Sequence, residues 1–227
     1  MKKLIIALFA LTTILMFSCK KETADNVNQD KIWTEYYLEY NNATGITSAR
    51  AVFKFSNATG TLLELTDSAS INFNGDALTY NAILGYYEKQ YPSYVQSGSF
   101  TYKDLDHNTF INNISMCDTS NIPVIDTITK ANPYTFTWTG SALGNNERIN
   151  VWINSNIEGD ARLFTTANVG ATNIIFPVNQ ISQLGVGPYG TIVMERVWQP
   201  ATQQTTSAGG IMSSKYIPKK RTGIFIQ

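Results

Sequence analysis

The sequence predicts an all-β protein, two consecutive β-sandwich domains with the second Ig-like, placed after an N-terminal export signal and a disordered tether. Three observations lead there. From Ile32 onward, short runs rich in Thr, Tyr, Phe, Ile and Val alternate with Asn, Gly, Asp and Pro, and no stretch sustains a 3.6-residue apolar period. Ile32, Thr34, Tyr36, Leu38 and Tyr40 alternate with Trp33, Glu35, Tyr37 and Glu39, the pattern of a half-buried strand. The second half packs seven strand-like runs into about a hundred residues with turn signals every ten or so, the spacing of an Ig-like sandwich.

The elements follow in order. Lys2 and Lys3 precede the largely apolar run Leu4 to Phe17, which is too short to cross a ~30 Å hydrocarbon core as a permanent helix. Ser18 then presents Cys19, so residues 1–18 read as a signal peptide and Cys19 as the site of lipid attachment. Residues 19–30 carry the lipidated cysteine and a polar, aperiodic segment, read as a disordered tether that would hold the body roughly 17–20 Å from the membrane.

The first domain, 31–122, is expected to form strands near Ile32 to Tyr40, Arg50 to Ser56, Leu62 to Thr66, Ala69 to Asn74, Leu78 to Tyr87, Ser97 to Lys103 and Thr109 to Met116. A loose stretch with two prolines, between Cys117 and Pro133, marks the boundary near Asn121 to Asp126. The second domain, 126–227, should form strands near Tyr134 to Thr139, Arg148 to Ile153, Arg162 to Thr166, Thr172 to Phe176, Thr191 to Trp198, Ile211 to Ile217 and Gly223 to Ile226. Trp152 falls where such a core often places its tryptophan, with Trp138 and Trp198 as equal candidates.

Composition narrows the function. The whole chain balances 17 basic against 17 acidic side chains, and cleavage after Ser18 removes two lysines. Nothing in that balance suits nucleic acid or an electrostatic hold on anionic lipid. Cys117 has no disulfide partner once Cys19 is acylated, and it reads as a buried structural thiol, since the sole histidine, His107, lies in a turn-like segment.

Asp104, Asp106 and Asn108 have the spacing that opens a calcium loop, but Phe110 stands near the required glycine and Ser115 at the twelfth position. Asn154, Asn156 and Glu158 before Gly159 fail likewise, with Thr165 at position twelve. Both stretches read as tight turns, and no metal or cofactor is expected. The carboxylate pairs Glu35 with Glu39, Asp104 with Asp106, and Glu158 with Asp160 could in principle flank a sugar, yet alternating acids are also what an exposed strand face contains. No catalytic residue is assigned. The candidate ligand-facing residues are Tyr86, Tyr87, Tyr91 and Tyr94 around Pro92, because flat rings with a hydroxyl suit sugars and other polar ligands. Lys219, Lys220 and Arg221 read as a solvated hairpin tip.

The first nineteen residues resemble bacterial lipoprotein signals, which implies a diacylglycerol on the Cys19 sulfur and a third acyl chain on its amino group. Three chains hold a protein on a bilayer essentially for good. The mature chain resembles a family of Bacteroidota lipoproteins with Cys-Lys-Lys after the signal and two consecutive β domains. The resemblance rests on Phe100, Tyr102, Asp104 and Asp106; on Thr137, Trp138, Thr139 and Gly140 with Glu147; on Leu184, Gly187 and Arg196; and on Gly209, Gly210 and Tyr216. It implies attachment to the outer membrane of the cell envelope, facing either the surface or the periplasm, and names no substrate. Two readings follow from the residues: a non-catalytic binding module for glycan or an envelope protein, and a structural or adhesive spacer.

Overall fold

In a computed structural model the described residues are 22–155 and 160–227, so Cys19, the signal segment and the turn residues Asn156, Glu158 and Gly159 lie outside them. The first half contains β1 (Glu22–Thr23), β2 (Ile32–Asn41), β3 (Ile46–Phe55), β4 (Leu63–Glu64), β5 (Ser70–Phe73), β6 (Asp76–Ala77), β7 (Thr79–Asn81), β8 (Tyr86–Tyr91), β9 (Ser97–Lys103) and β10 (Thr109–Ser115). The second half contains β11 (Ser120–Asn121), β12 (Thr127–Ile128), β13 (Tyr134–Thr137), β14 (Thr139–Gly140), β15 (Glu147–Asn154), β16 (Arg162–Thr166), β17 (Asn173–Phe176), β18 (Gly187–Trp198), β19 (Gly210–Ile217) and β20 (Arg221–Ile226). The chain is all-β, and its few helical turns are short.

The described residues form two hydrophobic cores. In the first, the inward residues of β2 and β3, among them Ile32, Tyr36, Leu38, Ala49, Ala51 and Phe53, face Ile71, Phe73, Phe100, Tyr102 and Ile114 of the sheet β10-β9-β5-β6. In the second, Ile149, Val151 and Ile153 of β15 and Ile192 and Met194 of β18 face Phe136, Ile174 and Phe176 of the hairpin-like pair β13–β17. Period-two alternation builds both layers, since each strand sends every other side chain inward.

The two halves share a sheet. Its order is β12-β20-β18-β19-β2-β3-β8-β7, with β15 on β18 and β16 on β15. β19 lies parallel to β2 over the whole register Gly210↔Thr34 to Ile217↔Asn41, and pairs antiparallel with the end of β18 at Arg196↔Tyr216. Its Met212 belongs to the first core. β19 therefore leaves the expected second domain and completes the first. β19 and β20 do not pair with one another, so Pro218–Lys220 is a connection between sandwiches and not a hairpin tip, although Lys219 and Lys220 are exposed.

The expected tether differs over its described part. Glu22 and Thr23 pair in parallel with Leu63 and Glu64, Ala24 is fully buried, and the Gln29 side-chain amide donates to the Ala24 carbonyl at 2.6 Å. Local polar side chains satisfy this backbone, which is why a polar composition here does not mean disorder. The expected strand Leu78 to Tyr87 is broken in the middle: Thr79–Asn81 forms β7 and Tyr86 opens β8, with a turn between them. Asn81 Oδ1 accepts from the Ile83 and Leu84 amides, at 3.1 and 3.0 Å, and Gly85 takes φ +70°. Trp138, 3% exposed, is the tryptophan of the second core, while Trp152 points outward because β15 sends Ile149, Val151 and Ile153 inward.

Candidate functional site

The outward face of the shared sheet carries a line of polar side chains across both halves. Arg50 Nε meets Glu88 Oε1 at 2.6 Å, and Lys215 Nζ meets Glu39 at 3.5 Å and Glu195 at 3.0 Å. Asn150 Nδ2 donates to Glu195 at 2.8 Å, and Thr165 Oγ1 donates to Asn150 Oδ1 at 2.8 Å. These residues stand on β8, β3, β2, β19, β18, β15 and β16, and register puts them side by side.

A cleft of about 320 Å³ opens in this face, at the low end of small-ligand sites. Val52 and Val197 supply apolar surface, Tyr37 and Tyr86 supply rings, and Ser213 supplies a hydroxyl. Arg50, Arg148, Lys215 and Glu39 bring charge to the cleft lining, and Glu88 and Glu195 neutralise Arg50 and Lys215 from beside it. Arg50 lies over the Tyr86 ring at 5.3 Å, which fixes both groups. Arg148 donates to the Gln199 side chain at 3.1 Å. Burial first, and then the adjacent Glu35 carboxylate, hold the Tyr37 phenol well above its ordinary range, so it stays a hydrogen-bond donor.

The four tyrosines singled out from sequence separate. Tyr86 lines the cleft, whereas Tyr87, its neighbour on β8, points into the core and its hydroxyl accepts from the Leu65 amide at 2.6 Å. Tyr91 packs on Phe73 and donates to Asp76 at 3.0 Å. Tyr94, 41% exposed, sets its ring edge-on to Tyr40. Alternation along a strand makes adjacent tyrosines poor partners for one ligand. No sequence motif marks Tyr37, Arg50, Arg148 or Lys215 as part of a site. Tyr37 was visible only as part of the polar face of the first strand, and the others meet it through long-range pairing.

The carboxylates are occupied. Glu35 accepts from Trp33 Nε1, Lys54 Nζ and Tyr37 OH at 2.8–3.0 Å. Both Asp104 oxygens accept from Asn108, through its backbone and side-chain amides, and His107 takes φ +65° between them, so this acidic stretch is the β9–β10 turn. Asp160 accepts from Ser155 and from the Gly185 amide; its expected partner Glu158 lies outside the described residues. Among the described residues no group of three or more His, Cys, Asp or Glu side chains could hold a metal ion.

On the opposite face of β15 and β18 from the cleft sits a buried ion pair. Arg196, fully buried, places its guanidinium against both Glu147 oxygens at 3.0 and 2.5 Å. It also donates to Ser120 Oγ, to the Ser141 carbonyl and hydroxyl, and to the Ala142 carbonyl. Cys117 is held at the same place: its amide donates to Ser214 Oγ and its Sγ to the Arg196 carbonyl. Burial pushes the Cys117 thiol up to about 12, so it is no nucleophile near neutral pH. Residues 117–120, which lead from one sandwich to the next, are thereby fastened to β18 and β19. Neither the protein-family models nor the curated proteins contain a match to this chain.

Proposed function

We propose that the protein is a lipid-anchored envelope lipoprotein, attached through Cys19 to the outer membrane, whose body acts as a non-catalytic binding module for a short polar glycan. The cleft carries this reading: two tyrosine rings, a serine hydroxyl and the Arg148 guanidinium, on a fixed ladder of ion pairs, suit the hydroxyls and ring faces of a sugar. Membership of the Bacteroidota lipoprotein family and an Ig-like second sandwich belong to the same reading. A spacer role draws support from the Arg196 joint, which fastens the two sandwiches together.

The test is a glycan array and equilibrium binding with the soluble Cys19→Ser chain, followed by Tyr86→Ala and Arg148→Ala. Both side chains are only half-buried, so the melting temperature should stay within a degree or two. Each variant should weaken binding about tenfold or more, the scale of one lost charged or stacked contact. Binding unchanged by both substitutions, or no glycan bound at all, would remove the cleft reading.

A further inference from the structure

Among the exposed apolar residues, Ile83 at 94% and Leu84 at 57% occupy the tip of the β7–β8 turn. The tip is rigid. Its two amides are bonded to the Asn81 side chain, and the Gly85 amide donates to the Asn81 carbonyl at 2.8 Å. Beside it are Leu62, 41% exposed, and Phe55, 39% exposed. A Cβ on Gly85 would sit 2.7 Å from Leu62 Cδ1, and the Phe55 amide donates to the Thr61 carbonyl, so the two loops form one surface. Phe55–Leu63 and Thr79–Tyr86 contain no Asp, Glu, Lys or Arg in a chain that has 17 of each sign. The exposed apolar side chains thus stand on loops with no charged residue of their own, and the nearest charges, Lys54 on the Ala58 carbonyl and Glu22 beside Leu63, sit at the edge of the patch.

The chain enters at the same end. β1 runs parallel to β4 with Glu22 beside Leu63, so the amino end of β1 is on the Leu62 side. Only Lys20 and Lys21 separate Cys19 from Glu22. Three residue steps span at most about 11 Å even when fully extended. A lipid on Cys19 cannot then hold the body at the distance an eleven-residue flexible tether would allow.

We infer that the Ile83–Leu84 tip, with Leu62 and Phe55, is a membrane-contacting surface that enters the bilayer interface when Cys19 is anchored. This rests on the lipid-anchor reading. Apolar side chains on a rigid turn gain by leaving water at the headgroup boundary.

The test uses the acylated full-length protein in vesicles of phosphatidylethanolamine and phosphatidylglycerol. Ile83→Cys, and Val169→Cys as the control on the second sandwich, are labelled with an environment-sensitive fluorophore. Cys117 is buried and leaves the new thiol as the reactive one. The label at position 83 should shift to the blue on vesicle binding and be quenched several-fold more by spin-labelled lipid than the label at position 169. Flotation with vesicles, lost in Cys19→Ser, reads the anchor separately. A protein that floats while both labels remain equally water-exposed would overturn the membrane-contact inference alone. A full-length protein that does not float overturns the anchor and the inference with it. A position-83 label already shielded from iodide without vesicles would place a second copy of the chain on the tip and also overturn it.

Discussion

The two sandwiches solve the same burial problem with different materials. The first core is built from rings: Tyr36 stacks on Phe100 at 5.0 Å, Phe100 meets Phe73 at 4.7 Å, and Phe53 meets Tyr102 at 4.7 Å. The second relies on Ile, Val and Met, with Phe136 and Phe164 against Phe176. Their treatment of buried polar atoms differs more. The Tyr102 hydroxyl has no hydrogen-bond partner among the described residues, whereas every arm of the buried Arg196 guanidinium is met. A ring core can absorb a stray hydroxyl inside a large apolar contact area, but a buried charge persists only with its full set of partners.

The sharpest way to break this comparison is Arg196→Ala. It strands Glu147 and the 117–120 segment, and should cost about 3–5 kcal/mol in urea unfolding, with Arg196→Met/Glu147→Leu recovering much of the loss. Gly210→Ala attacks the shared strand, because the new Cβ would lie 2.5 Å from Thr34 Oγ1 and 2.6 Å from the Thr34 carbonyl. About 1–3 kcal/mol of overpacking is expected, read as a lower urea midpoint.

Alkaline pH separates the cores by their ionisable groups. Burial raises Tyr36 and Tyr102 far above their ordinary value, and Tyr87 to about 12, all in the first core. The unfolded chain's phenols ionise near pH 10 while these folded ones stay neutral, so their contribution to stability is intact below pH 10 and falls as pH rises through 10 toward the folded values. Each such group removes about 1.4 kcal/mol one unit above its unfolded value. The first sandwich should lose its near-ultraviolet dichroism before the second. Tyr102→Phe has the smallest effect: it keeps the stacks on Phe53 and Phe110 and discards the unpaired hydroxyl, so the melting temperature should rise by a few degrees. A fall would mean that the hydroxyl is satisfied.

Much of the fold is legible because alternation is local. Ser97–Lys103 and Arg162–Thr166 are strands at the bounds their residues suggest, and the inward and outward faces of β2 are those its pattern indicates. Ile83 and Leu84 read as strand because an apolar pair says nothing about the asparagine cap and left-handed glycine around it. The placement of β19 between β18 and β2 has no local signature, since a strand's partners are fixed by the whole topology. The cleft is hidden for the same reason. Tyr86 was visible as a candidate, but Tyr37, Arg148 and Lys215 become its neighbours only after segments from both halves have paired.

The position of β19 also sets a timetable. Gln203 and Gln204, in the loop before it, bond through their side chains to the backbone of β10 at Ile111 and Asn113, and so cover the outer edge of that strand. Residues 210–217 at the same time fill the free edge of β2. Until this late segment has been made, the earlier half has two bare strand edges and an incomplete core, the state most open to mispairing. Its closing contacts join residues more than 170 positions apart, the slow kind of pairing in β topologies. An N-terminal half released alone would therefore be an unfinished object, and the chain commits to its native state only when almost all of it is present.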